Sequence, residues 1–143
     1  TSRFEAQYHR GEVELELVPQ GTFVERIRAG GAGLGGVLTL TGLGTPVAEG
    51  KRTVEVDGVT YLLEPPLRAD VAILKAHRAD RLGNLEYRMA GRNFNPVMAT
   101  AADLVIVEVE EIVDVGAIDP ERVGTPAVFV DRIVQCAPIP AAR

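Results

Sequence analysis

The sequence predicts an α/β fold: an open, largely parallel β-sheet flanked by helices, with one inserted β-hairpin. Three observations point there. Short apolar runs at residues 70–76, 104–109 and 127–134 have the length of buried strands, and helical pieces separate them. Residues 12–18 alternate strictly, with Glu12, Glu14 and Glu16 on one face and Val13, Leu15 and Leu17 on the other, as a strand with one buried face would. Between the β-rich runs 52–56 and 59–63 lies Asp57-Gly58, a dipeptide that accepts the positive backbone angles of a tight hairpin turn.

The remaining elements follow in order. Residues 2–10, closed by Gly11, suit the last turns of a helix. Pro19 ends the strand at 12–18, because it cannot donate to a ladder. Thr22-Phe23-Val24-Glu25 has the spacing of a capping box and predicts a short helix from Thr22 that Gly30 and Gly31 terminate in the left-handed conformation. Val37 to Leu40 reads as extended. Pro65-Pro66 breaks the chain before the strand at 70–76, residues 80–84 form a loop, 85–88 a short run and 96–102 a helix. Residues 138–143 read as a frayed tail. One domain, residues 1–143, accounts for the length.

Composition narrows the function classes. The 20 acidic and 15 basic residues give a formal charge of -5 and are scattered, with no basic cluster or aromatic interleaving that would track a phosphate backbone, so nucleic acid is not the expected partner. Apolar runs are too short for a membrane helix. One cysteine, Cys136, excludes an internal disulfide and fits a reduced, cytoplasmic setting. His9 and His77 are far apart and stand at no ligand spacing, so they read as surface histidines and no metal centre is expected.

Seven of the 15 glycines (Gly30, Gly31, Gly33, Gly35, Gly36, Gly42 and Gly44) fall within fifteen residues, so backbone more than side chain must matter there. Gly31-Ala32-Gly33-Leu34-Gly35-Gly36 satisfies G-x-G-x-x-G, but a dinucleotide site needs a strand before the glycines and a helix after, the reverse of the order expected here. The glycines either make a tight surface turn or let backbone amides approach a ligand. Glu12, Glu14 and Glu16, like Glu108, Glu110 and Glu111, read as solvated faces and not as acid/base pairs. Gln20 sits between a strand end and a helix start, where α/β folds expose ligand-contacting groups, or else braces the loop. The segment from Arg92 to Pro96, with Asn93 and Asn95, suits either turn bracing or recognition of an anion or amide. No nucleophile elbow, phosphate loop or Cys/His pair appears.

The run GEVELELVPQGTFVERIRAGGAGL at 11–34 resembles the alpha subunits of family I coenzyme A transferases, as do TGLGT at 41–45, ADVAILKAHRADRLGNLEYRMAGRNFNP at 69–96 and VEVEEIV at 107–113. The blocks at 35–39, 49–51 and 64–70 are most similar to the acetate/butyrate:acetoacetate enzymes, with 3-oxoadipate and succinyl-CoA:3-ketoacid enzymes close. The resemblance implies the CoA-transferase (NagB/RpiA-like) fold and a ping-pong transfer of coenzyme A between short-chain acids such as acetoacetate. Its nucleophilic glutamate belongs to a beta subunit. It implies coenzyme A and acyl-CoA as substrates, no permanently bound cofactor, and an alpha-beta hetero-oligomer. Gln20 matches an active-site glutamine that positions a carbonyl or oxyanion, with Gly21, Gly30, Gly31, Gly33, Asn93 and Asn95 near substrate or coenzyme A. Family alpha subunits begin with a G-G-F-x-x-x-G-x-P segment that is not in this sequence, so the domain is expected to be N-terminally incomplete. A non-catalytic binding domain that retains the scaffold is the rival reading.

Overall fold

The computed structural model describes residues 2–136, and the tail expected at 138–143 lies outside the described residues. Helix α1 (Arg3–His9) opens on a capping box, in which the Ser2 hydroxyl accepts from the Glu5 N–H at 3.2 Å and the Glu5 carboxylate accepts from the Ser2 N–H at 2.7 Å. Residues 12 and 13 then bend, and 14–18 have no regular secondary structure and pair with no strand among the described residues. The expected strand is therefore not formed. Alternation decides which side chains share a face, whereas a strand also requires a neighbour to take its backbone donors and acceptors.

Helix α2 (Gln20–Gly31) starts two residues earlier than the Thr-x-x-Glu pattern suggested. Pro19 is its N-cap, and the Phe23 N–H donates to the Pro19 carbonyl at 2.8 Å. Thr22 lies inside the first turn and is buried, so it caps nothing. At the other end, Gly30 and Gly31 stay helical and are not the left-handed terminators expected. Gly33 takes that role with φ of 69°, and the Leu34 N–H closes back onto the Ala29 carbonyl at 2.9 Å. The reason for glycine at 30 and 31 is contact: a Cβ on Gly30 would strike the Leu67 carbonyl, and one on Gly31 the Thr100 hydroxyl.

Two sheets follow. Strand β1 (Val37–Thr39) pairs antiparallel with β3 (Val59–Glu64), which pairs antiparallel with β2 (Thr53–Val56). The β2–β3 hairpin turns on Asp57 (φ 50°) and Gly58 (φ 76°), as the dipeptide predicts. The second sheet has the order β5-β4-β6-β7. Strands β4 (Ala69–Asp80), β6 (Ala102–Val113) and β7 (Arg132–Gln135) run parallel, and β5 (Leu85–Glu86) is an antiparallel edge. The fourth strand is shorter than the expected 127–134, because Ala127–Phe129 is a 3-10 turn. Helix α3 (Asn95–Thr100) buries Ala99 against Ala72, Leu74 and Ala76 of β4 and Val105, Val107 and Val109 of β6, the core of the chain. The opposite face of β4 leaves Ile73 75% exposed.

Charged groups pin the ends of the parallel sheet. Glu86, 1% exposed, is gripped by Arg78 and by Arg122 at 2.6 Å. Asp80 is buried at the end of β4. Burial pushes its carboxyl upward, but hydrogen bonds from the Asn84 side chain and from the N–H groups of Asn84, Gly83 and Leu82 outweigh it and hold the pKa below the ordinary aspartate value. His77 corrects a further expectation. It is half-buried, with Nδ1 2.9 Å from a Glu110 carboxylate oxygen, because β4 continues past Ala76 and sets it beside β6.

Two outcomes follow from these contacts. Gly30→Ala destabilises by about 1–3 kcal/mol through overpacking, whereas Gly21→Ala, with open space around it, leaves stability unchanged or slightly raised in urea titrations. Because the Asp80 pKa is depressed in the folded state, its stabilisation is complete above the ordinary carboxylate pKa and is lost as pH falls through the folded-state value. Acid unfolding of Asp80→Ala is therefore shallower than that of the parent below about pH 4, measured by circular dichroism.

Candidate functional site

Helix α2 emerges from the irregular segment at Pro19 with no side-chain cap and no acidic residue in its first turn. The N–H groups of Gln20, Gly21 and Thr22 precede the first intrahelical bond, so they form a small concentration of positive potential open to a ligand. Gln20, the first helical residue, is exposed, and no hydrogen bond joins its side chain to another described residue. Its amide is free to turn toward a bound group.

A cleft of about 520 Å³ opens beside it, between Gly21, Thr22, Val24 and Glu25 of α2 and Val37, Leu38, Thr39 and Thr41 of the β1 segment. Thr22 is only 5% exposed, and its hydroxyl has no partner among the described residues. The Glu25 carboxylate is engaged by the Arg28 guanidinium at 3.1 and 3.3 Å on the helix surface. What borders the cleft is therefore the backbone of the first turn of α2, with the Gln20 amide one residue before it, while the Thr22 hydroxyl is turned inward, away from solvent.

Two contacts hold this end of α2 in place. Arg26, buried, donates to the Pro65 carbonyl at 3.0 Å and to Glu16 at 2.9 Å, so the segment leading into Pro19 is tied to the helix it precedes. Phe23 packs against Phe94 with ring centroids 6.2 Å apart, which docks the turn of Asn93 and the start of α3 at Asn95 onto the first turns of α2. Asn95 is fully occupied there. Its Oδ1 accepts from the Lys75 N–H at 3.2 Å, and its Nδ2 donates to the carbonyls of Gly91 and Arg92 at 2.9 and 3.3 Å. Asn93 is exposed, with φ of 35°.

Of the residues singled out from sequence, Gly21 lines the cleft, Gln20 stands one residue before that lining, and the turn of Asn93 with the start of α3 at Asn95 is set against the same helix. Gly30, Gly31 and Gly33 lie at its far end, about 15 Å away at the helical rise. G-x-G-x-x-G indeed follows a helix and precedes β1, the reverse of a dinucleotide site. Sequence reasoning missed Arg26 and the inward Thr22, whose signals, an arginine and a threonine in a helical run, are shared with ordinary surface positions. It also missed Glu64, a fully buried carboxylate held by Lys51 at 2.7 Å. Among the described residues no cluster of His, Cys, Asp or Glu could hold a metal ion, and no helix is long and apolar enough to cross a membrane.

An α/β chain that presents positioning groups at the start of a helix, beside a short antiparallel sheet, is the class these features define. Comparison makes the assignment specific: the sequence profile of the coenzyme A transferase family matches residues 1–136, and the chain belongs to that family. It is 56% identical over 124 residues to the alpha subunit of the acetate CoA-transferase of Escherichia coli K12, covering 87% of this chain and 56% of that one. It is 58% identical over 131 residues to a subunit of the succinyl-CoA:3-ketoacid coenzyme A transferase of Xanthomonas campestris pv. campestris strain B100, covering 92% and 54%. The chain thus spans about half the length of the curated relatives it matches. Among solved structures it shares the fold of glutaconate coenzyme A-transferase from Acidaminococcus fermentans, with a TM-score of 0.84 at 22% identity over 94% of this chain and 50% of that one. It also matches a variant of the decarboxylase AibA/AibB, with a TM-score of 0.78 at 31% identity over 94% and 50%.

The unpartnered hydroxyl yields a direct check. If Thr22 packs only against protein, Thr22→Val replaces an unsatisfied polar atom with a methyl group and leaves the melting temperature equal or higher. A fall in melting temperature would reveal a partner for the hydroxyl.

Proposed function

We propose that this chain forms part of the alpha subunit of an enzyme that moves coenzyme A between a short-chain acyl-CoA and a carboxylic acid such as acetoacetate. The observation that carries the reading is the amide of Gln20 at the uncapped start of α2, in a chain more than half identical over most of its length to subunits named for acetate and 3-ketoacid transfer. In the reaction, the beta subunit's glutamate carboxylate attacks the thioester carbonyl carbon. The carbon–sulfur bond breaks, and coenzyme A departs as thiolate, leaving an acyl-glutamyl anhydride. The thiolate then attacks the glutamyl carbonyl and expels the first carboxylate, and the acceptor acid reverses both steps.

Negative charge develops on the attacked carbonyl oxygen at each stage. Gln20 is suited to donate its amide N–H to that oxygen, with the positive end of α2 behind it. The neighbouring cleft then holds the substrate's small acyl group. The molecule meets coenzyme A as substrate, and its own residues orient and stabilise without forming covalent bonds.

The test is a coenzyme A exchange assay with protein from the complete reading frame and its beta subunit, offering acetoacetate and short acyl-CoA donors. Gln20→Ala is expected to lower kcat by about 10²–10³-fold, the usual effect of losing one oxyanion donor, with assembly intact. Absence of exchange with every short acyl donor would overturn the reading. The decarboxylase among the structural matches supplies the second possibility to score in the same assay, release of carbon dioxide without exchange.

A further inference from the structure

The small antiparallel sheet is patterned the wrong way round for a sheet whose outer face meets water. In its register, Leu38 stands opposite Leu63, Val54 opposite Tyr61, and Val56 opposite Val59. Directly opposed residues share a face, so these six side chains form one continuous surface whose only polar atom is the Tyr61 hydroxyl. The other face carries Val37, Thr39, Thr53, Glu55, Thr60, Leu62 and Glu64, yet that is the face that includes the fully buried pair, Leu62 and Glu64. Antiparallel sheets with one solvated face place polar residues outward. Here Leu38, Val56 and Val59 are each 42% exposed, and the charged residue in register with them is Arg52, exposed at the margin, whose carbonyl accepts from the Leu63 N–H at 2.9 Å.

We infer that this apolar face is the docking surface for the beta subunit that supplies the nucleophile. The inference rests on the transferase reading. Its occupant is indicated by continuity with the site: Leu38 belongs both to this face and to the cleft that Gly21 and Thr22 line. A partner seated on the sheet is thereby led to the rim of the cleft beside Gln20, where a carboxylate must arrive. The segment from Ala29 to Ala48 also contains no charged residue, and it adds Leu40 and Leu43, both exposed, beyond the end of β1. Contiguous apolar surface depleted in charge is what the centre of a protein interface requires, and what a permanently solvated surface avoids.

The protein from its complete reading frame is purified alone and with its beta subunit, and hydrogen–deuterium exchange is followed over residues 53–64. Protection that appears only with the beta subunit is expected. Val56→Lys and Val59→Lys, both outside the cleft, are expected to weaken association by at least ten-fold in titration calorimetry while the circular dichroism spectrum is retained. Equal affinity of both variants, or no added protection in the wild-type complex, overturns the proposal. So does protection already complete without the beta subunit, which would assign the face to further residues of the same polypeptide or, if sedimentation shows a dimer, to a second copy. The two readings fail separately. A complex that forms through this face but exchanges no coenzyme A sinks the transferase reading alone, whereas exchange without protection of 53–64 sinks only the docking surface.

Discussion

The close approach of helix α2 to helix α3 and to the segment that leads into β4 is the constraint on which the rest of the arrangement depends. At Gly30 the helix touches the Leu67 carbonyl, and at Gly31 it touches Thr100, leaving no room for a Cβ at either position. The Leu67 N–H also donates to the Arg26 carbonyl at 2.8 Å, so helix and strand lead-in share backbone. Fixing the C-terminal half of α2 in this way fixes where its N-terminus points. Gly21 and Thr22 line the cleft, with Gln20 just before them, because the other end of a rigid rod is clamped.

Polar groups inside the chain reinforce the same geometry. Arg26 joins the entry segment, through Glu16, to the backbone that leaves β3, through Pro65. It holds together three parts of the chain that no ladder connects. Lys51 and Glu64 do the equivalent beneath the small sheet, where the fully buried carboxylate requires its cation. Glu86 between Arg78 and Arg122 anchors the antiparallel edge of the larger sheet. These are interactions whose loss leaves a charge stranded, so they specify position more strongly than they add stability.

Chemically, the site is a wall. Peptide N–H groups at a helix start and an exposed amide can stabilise a developing oxyanion, and the one carboxylate at the cleft, Glu25, is engaged by Arg28. On the proposed transferase reading, positioning groups lie on this chain and the nucleophile on a partner, and that division accounts for the apolar face running from the cleft rim across the small sheet. An apolar surface that would be a liability in isolation is, on that proposal, the seat of the partner.

Local patterns were legible where their physics is local. Asp57-Gly58 determined the hairpin because only residues tolerant of positive φ satisfy its turn, and the apolar runs of β4 and β6 announced buried strands because their side chains must leave water. Gln20 was recognisable as a candidate site residue from its place between an expected strand and a helix, and the family from blocks of residues in order. What depended on distant partners was not legible. Residues 12–18 alternate like a strand but pair with none among the described residues. Thr22 has the pattern of a cap but turns inward, and Gly30 and Gly31 look like terminators but serve as contact points. The sequence by itself thus determined most of the elements, the hairpin and the family. Only the tertiary structure decided which end of α2 meets the cleft and which face of the small sheet is left bare, because both depend on contacts between residues far apart in the chain.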